Sequence, residues 1–267
     1  MNATTTRAFN RKHPPVNESP VRPPRFSLII PAYNEEAYLP RLLDTVHEAR
    51  TNYFGGSEAV EVLVADNGST DNTTRVARSR RCTVVHVQKR VIAAVRNGGA
   101  WEAQGEVFAF VDADTRIHPD TFNAIDCAMA TGSVVAGATG VTLDRMSLGI
   151  AMAYVVMVPM VWITGMDTGV VFCRREDFEA VGGYNEARLF AEDVQFLWDL
   201  KRLGRTRNQK LARVTSAKAI ASTRKFDKHG DWHYLWMMLL SFYWLLFSPH
   251  SLDKFALTYW YDNHRGV

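Results

Sequence analysis

The chain has 267 residues, 47% of them hydrophobic, and a net charge of +3. That is an ordinary globular composition with enough apolar content for one large core, and so small a net charge argues against nucleic acid as the main partner. Three cysteines, Cys82, Cys127 and Cys173, are an odd number without metal-ligand spacing; this argues against a full disulfide framework and fits a reducing cytoplasm.

Residues 1–25 are polar, carry five prolines from Pro14 to Pro24 and lack the apolar core of a signal peptide, so they read as a disordered tail. From Phe26 onward, strand-like and helix-like segments alternate. "RFSLIIPAYN" is a short apolar run broken by Pro31, after which Leu39, Leu42, Leu43 and Val46 recur at helical spacing. "AVEVLVAD" (59–66) is a second buried strand, closed by the turn "NGSTDNT" and a short helix. "CTVVHVQ" is a third strand, Ala93 to Gln104 a helix and "EVFAFV" a fourth strand. Such alternation predicts an α/β fold, a doubly wound, mostly parallel twisted sheet with helices on both faces.

Ligands of such sheets bind beyond the carboxyl ends of the strands, where Pro31 to Glu35, Asp66 and the pair Asp112/Asp114 all fall. In an extended segment residues i and i+2 point the same way, so Asp112 and Asp114 could converge on one cation or one phosphate-bound metal. Asp114 could equally cap the turn before "RIHPDTF". A dinucleotide-binding domain is disfavoured, because "PAYNEE" after the first strand holds no glycine.

Two stretches, Met146–Met166 and Trp232–Leu252, each run 21 residues without Asp, Glu, Lys or Arg, long enough for a membrane span. Spanning the first would put Asp112 and Asp193 on opposite sides of the bilayer. The second holds several Trp and Tyr residues suited to an interface, and it reads as a membrane-lying, spanning, core or dimer-contact segment. Basic residues crowd from Lys201 to Lys228, which suits a phosphate-bearing or anionic-membrane partner, or a solvated surface.

The pieces "SLIIPAYNEEAYLPRLL", "VLVADNGSTDNT", "RNGGAWEAQGEVFAFVDADT", "GVVFCRREDFEAVGGYNE" and "AEDVQFLWDLKRLG", in this order, resemble glycosyltransferase family 2 and its GT-A fold, over about Phe26 to Arg224. The resemblance implies a GT-A domain over 26–225; the residues after it, 226–267, read from their own composition as an aromatic-rich helical segment. It also implies a nucleotide-sugar donor, UDP-linked in the first instance and GDP-linked as the alternative, with Mg²⁺ or Mn²⁺ as cofactor. Asp112 and Asp114 match the family's DxD pair, Asp114 as the direct metal ligand and Asp112 also facing the ribose; hard oxygen ligands suit these ions. Asp66 matches the acid that meets the nucleobase, but Asn67 stands where the family carries a second acid.

Pro31, Ala32, Tyr33 and Glu35 match the loop flanking the nucleotide, with Asn34 a helix N-cap alternative. Arg96 of "RNGG" is expected on the diphosphate as a forked donor, with Arg90, Arg224 and His229 as further groups on that side. Asp193 matches the general base of an inverting transfer, Glu192 orients the acceptor, and Gly182 and Gly183 give a flexible acceptor-side loop. Acids in a first helical turn are also favoured by the helix dipole alone.

The Gln-x-x-Arg-Trp motif of processive synthases is absent where "TRKFDKHGDW" stands, which implies single addition to an unidentified acceptor. The expected location is the cytoplasm or the cytoplasmic face of a membrane, with a homodimer open. Three alternatives remain. A polyprenyl-phosphate glycosyltransferase would need a base less, a nucleotidyltransferase would want a Gly-rich phosphate loop, and a non-catalytic nucleotide-sugar-binding module would be indifferent to Asp193→Asn.

Overall fold

The computed structural model describes residues 22–153, 155, 166–188 and 191–232. Residues 1–21 of the tail expected over 1–25, most of the first uncharged stretch and the expected apolar helices after Trp232 lie outside the described residues. Alternation along the first strand sets the layering. In β1 (Phe26–Ala32), Phe26, Leu28 and Ile30 enter one core and Ile29 the other, as a period of two requires. The same split recurs in β4 (Val107–Phe110), where Val107 and Ala109 face one side and Phe108 and Phe110 the opposite one.

The first face is covered by α1 (Leu39–Asn52), α2 (Thr73–Ser79) and α4 (Thr121–Ala130). The second is covered by α3 (Ile92–Glu102), α5 (Arg175–Val181) and α6 (Glu192–Thr206). Helices therefore flank the sheet on both sides. Phe178, Phe110, Tyr184 and Phe196 interlock on the second face, the last two stacked at 4.1 Å between ring centroids.

Seven strands run in the order β3-β2-β1-β4-β6-β5-β7, with β2 at Val60–Asp66, β3 at Thr83–His86, β5 at Val134–Leu143, β6 at Val171–Arg174 and β7 at Lys210–Ala221. The pairs β1·β2, β1·β4, β2·β3 and β5·β7 are parallel, whereas β6 lies antiparallel between β4 and β5. Two reversals restore direction, so β7 ends on the same rim as β4. A bridge between Arg116 and Ile220 ties the segment after Asp114 to the end of β7, and α7 (Arg224–His229) starts there.

Pro31 does not break its strand, contrary to the reading from sequence. It pairs with Ala65 of β2, but the ladder to β4 ends at Ile29, so its missing N–H interrupts no bond on that side. The cap assigned to Asn34 is also absent, since α1 starts after Tyr38 without a side-chain cap.

Candidate active site

Three parallel strand ends and the start of α6 deliver the polar groups to one rim. Helix α3 can lie close to the sheet because Gly99 has no side chain. A Cβ there would come within 2.6 Å of Ile29 and 3.2 Å of Ala65. This close approach carries Arg96 and Asn97 inward, and both are buried.

Arg96 joins two acid groups distant in sequence. Its Nη2 donates to Asp112 Oδ1 at 2.8 Å, and its Nη1 donates to Glu192 Oε1 at 2.7 Å while lying 2.8 Å from Asp193 Oδ1. The guanidinium also sits 5.4 Å over the Tyr184 ring. Asp193 Oδ1 meets no donor with hydrogen-bond geometry among the described residues. Burial pushes the Asp193 carboxyl up to about 7, with Glu192 and Asp112 adding to the rise and Arg96 opposing it. The dipole explanation for the two acids is incomplete, since both lie on the same buried cation.

Arg224 serves the other half of the rim. Its Nε lies 2.8 Å from Asp114 Oδ2, and its two Nη atoms donate to the two Glu35 oxygens at 2.7 Å each. Burial, reinforced by Asp114 and Asp112, raises the Glu35 carboxyl against the lowering effect of Arg224. Arg96 and Arg224, both expected on a diphosphate, are thus bound to protein carboxylates in this structure. A buried guanidinium requires such partners.

A divalent cation fits this donor set. Five carboxylates, Glu35, Asp112, Asp114, Glu192 and Asp193, are held by two guanidinium groups, leaving the rim acidic where an anionic diphosphate would have to sit. Among the described residues no cluster of three or more His, Cys, Asp or Glu side chains forms a cage. Asp112 and Asp114, at the end of the fourth strand, are the carboxylates that would hold such an ion, since Mg²⁺ needs only one or two.

The loop after β2 shows what Asn67 does where the family carries a second acid. Asn67 donates through Nδ2 to the carbonyls of Val87, at 2.7 Å, and Lys89, at 3.1 Å, which a carboxylate could not do. Asp66 is only 3% exposed and accepts from the Gly68 and Ser69 amides and lies 3.2 Å from His86 Nδ1. It shapes the turn, in keeping with the simpler of its two readings. Pro31 and Ala32 are buried, so only their backbone could border a ligand. Tyr33 is partly exposed, with the Arg90 guanidinium 5.9 Å from its ring. Asn34 and Glu35 are pinned to the second loop by Ser69, Thr70 and Thr73.

The expected flexible glycine loop is instead fastened. Gly182 and Gly183 adopt φ of 77° and 74°, and a Cβ on Gly183 would approach Asn97 Oδ1 to 2.7 Å. Asn97 exchanges two hydrogen bonds with the Tyr184 backbone and donates to Glu186. Asn97 and Tyr184 were quoted in the motifs but had no role there; a buried amide beside a Gly-Gly-Tyr turn is the signal that marks them. The His229 side chain lies outside the described residues.

A mostly parallel sheet with an acid pair at the end of its fourth strand, facing a second acid pair across one arginine, defines the class: the fold is GT-A. Residues 27–141 match the family model described as Glycosyl transferase family 2. The chain is 34% identical over 128 residues to validoxylamine A glucosyltransferase of Streptomyces hygroscopicus subsp. limoneus, covering 46% of this chain and 27% of that protein. It is also 34% identical over 116 residues to dolichyl-phosphate beta-glucosyltransferase of Mus musculus, covering 38% and 34%. The chain thus spans about a quarter to a third of the length of these relatives. Among solved structures, a mannosyltransferase of Pyrobaculum calidifontis in complex with GDP-Man and Mn²⁺ superposes with a TM-score of 0.59 at 22% identity, over 79% of this chain and 60% of that one. Glucosyl-3-phosphoglycerate synthase of Mycobacterium tuberculosis, with Mn²⁺ and UDP, gives 0.55 at 17% identity, over 78% and 75%.

Proposed function

We propose that the chain is an inverting, metal-dependent glycosyltransferase that adds one sugar from a nucleotide diphosphate donor to an acceptor. The observation that carries this reading is the Arg96 bridge, which puts the donor-side acid Asp112 and the acid Asp193 on one guanidinium. Asp112 and Asp114 would hold Mg²⁺ or Mn²⁺, whose charge offsets that building on the leaving diphosphate. Relatives of this fold are solved with Mn²⁺ and with UDP or GDP-Man, which supports both parts of the donor assignment; a UDP-sugar is favoured. The loops after β1 and β2, with Tyr33, Asp66 and Glu35, would border the nucleotide.

Asp193 takes the proton from the acceptor hydroxyl as its oxygen bonds to the anomeric carbon and the carbon–diphosphate bond breaks on the opposite side. A carboxyl titrating at about 7 suits this, because a general base works best with a pKa near the operating pH. Arg96 acts through Asp193 as a positioning residue, and Glu192 and the Gly182–Gly183 turn stand on the acceptor side. Arg90, Arg224 and His229 remain as diphosphate-side groups.

The test is Asp193→Asn, assayed for transfer and, by thermal shift with Mn²⁺, for nucleotide-sugar binding. Donor binding should persist and transfer should vanish. The similarity to a dolichyl-phosphate glucosyltransferase favours a second reading, in which the acceptor oxygen is an already ionised phosphate. Transfer to a polyprenyl phosphate surviving in Asp193→Asn would select it.

A further inference from the structure

The first residues of the two long uncharged stretches meet on one surface. Five of the eight large apolar side chains exposed among the described residues, Met146, Leu148, Met152, Val155 and Trp232, belong to them. A helix begins at residue 148, and positions 148, 152 and 155 share one face of it. Leu148 is 72% exposed, Val155 67% and Trp232 56%. A Cβ on Gly149 would lie 3.0 Å from Asp231, and Arg145 donates to both Asp227 and Asp231 at 2.6 Å. The start of one stretch is therefore locked against the start of the other. The chain leaves the described residues at this spot, into 156–165 and 233–252, which also carry no Asp, Glu, Lys or Arg.

From this convergence we propose that the face formed by Met146, Leu148, Met152, Val155 and Trp232 is a lipid-docking surface, which seats the protein on a phospholipid bilayer. Such a contiguous exposed apolar patch calls for a partner. Lipid suits it better than protein because Trp232 opens a segment with Tyr234, Trp236, Tyr243 and Trp244, side chains that favour the boundary between headgroups and acyl chains. No helix of the described residues is long and apolar enough to cross a membrane. Arg145 beside the patch is engaged with two aspartates, and docking proceeds by apolar insertion. The six residues of α7, about 9 Å of helix, separate this face from Arg224 in the cleft. Docking would present the cleft to acceptors at the membrane surface.

The experiment is co-sedimentation of the full chain with phosphatidylcholine vesicles, with and without phosphatidylglycerol, at low and high salt. No donor is present, so the outcome is independent of the transfer reading. The wild type should partition onto both vesicles and resist salt. The triple variant Leu148→Ser/Met152→Ser/Val155→Ser, all at exposed positions, should lose at least about tenfold in partitioning with unchanged Tm. Equal partitioning of variant and wild type, no partitioning of either, or binding only to anionic vesicles at low salt would overturn the proposal. So would a wild-type dimer that the variant converts to monomer, which would assign the face to a second copy. A variant that unfolds early would show that the chain's own residues cover it.

Discussion

Arg96→Met removes the one cation shared by Asp112, Glu192 and Asp193 while keeping a side chain of similar length. Arg96 is 4% exposed, and the Glu192 and Asp193 side chains are 13% and 22% exposed. Deleting one partner of a buried pair costs about 3–5 kcal/mol. The Asp112 arm, at 52% exposure, adds less than about 1 kcal/mol because water screens it. Part of this is relieved because Asp193 already holds its proton near neutrality. A net loss of about 2–3 kcal/mol follows, or about 5–10 °C in Tm for a chain of this size. The effect on catalysis is separable: a base displaced by about 1 Å loses about 10²-fold in kcat. Because Arg96 is what lowers the Asp193 carboxyl against burial, the acid limb of the pH profile should also move to higher pH in Arg96→Met. Arg96→Lys keeps the charge but cannot bridge both sides, so it should recover stability more than kcat. Thermal unfolding by circular dichroism and steady-state kinetics across pH read all of these. An unchanged Tm, kcat and acid limb in Arg96→Met would refute the bridging role.

In the wild type, kcat/KM should rise with pH through about 7 as Asp193 ionises; a flat profile there would remove its assignment as base. The same group sets a stability trend: it ionises near 3.8 when unfolded but holds its proton to about 7 when folded, so its contribution to stability declines between those values and is level above them. Chelation should abolish transfer and Mn²⁺ or Mg²⁺ should restore it. Asp114→Asn should weaken Mn²⁺ binding measured by calorimetry, and an unaltered affinity would contradict its role as ligand. Asn67→Asp would set a carboxylate against the carbonyls of Val87 and Lys89 and should cost about 1–3 kcal/mol of stability, with a raised donor KM, whereas a neutral outcome would show that the two hydrogen bonds are dispensable.

The first half of the sheet was readable because β1, β2 and β4 are continuous apolar runs bounded by turn residues, the pattern of strands buried on both faces. The pair Asp112/Asp114 was readable too, since it closes such a run, whereas Glu192 and Asp193 open a helix, where the dipole alone favours acids. Strands β5 to β7 were not anticipated. "VVAGATGVTL" and "KLARVTSAKAIA" mix small and polar residues, and they are strands because they pair with each other along most of their length; "VFCR" is short and antiparallel. Asn34 reads as a cap from its neighbours, yet it bonds a loop 36 residues away.

What the amino-acid order alone determined was the set of chemical groups and the rim they occupy, because both follow from local alternation and from where apolar runs stop. Only the tertiary structure decided who partners whom. Arg96 and Arg224 look alike on paper, as phosphate-seeking cations. In the fold, one reaches Asp193 across 97 positions and the other Glu35 across 189. A buried charge is satisfied by whichever opposite charge the folded chain brings within about 3 Å, and that distance is set by sheet order and helix packing.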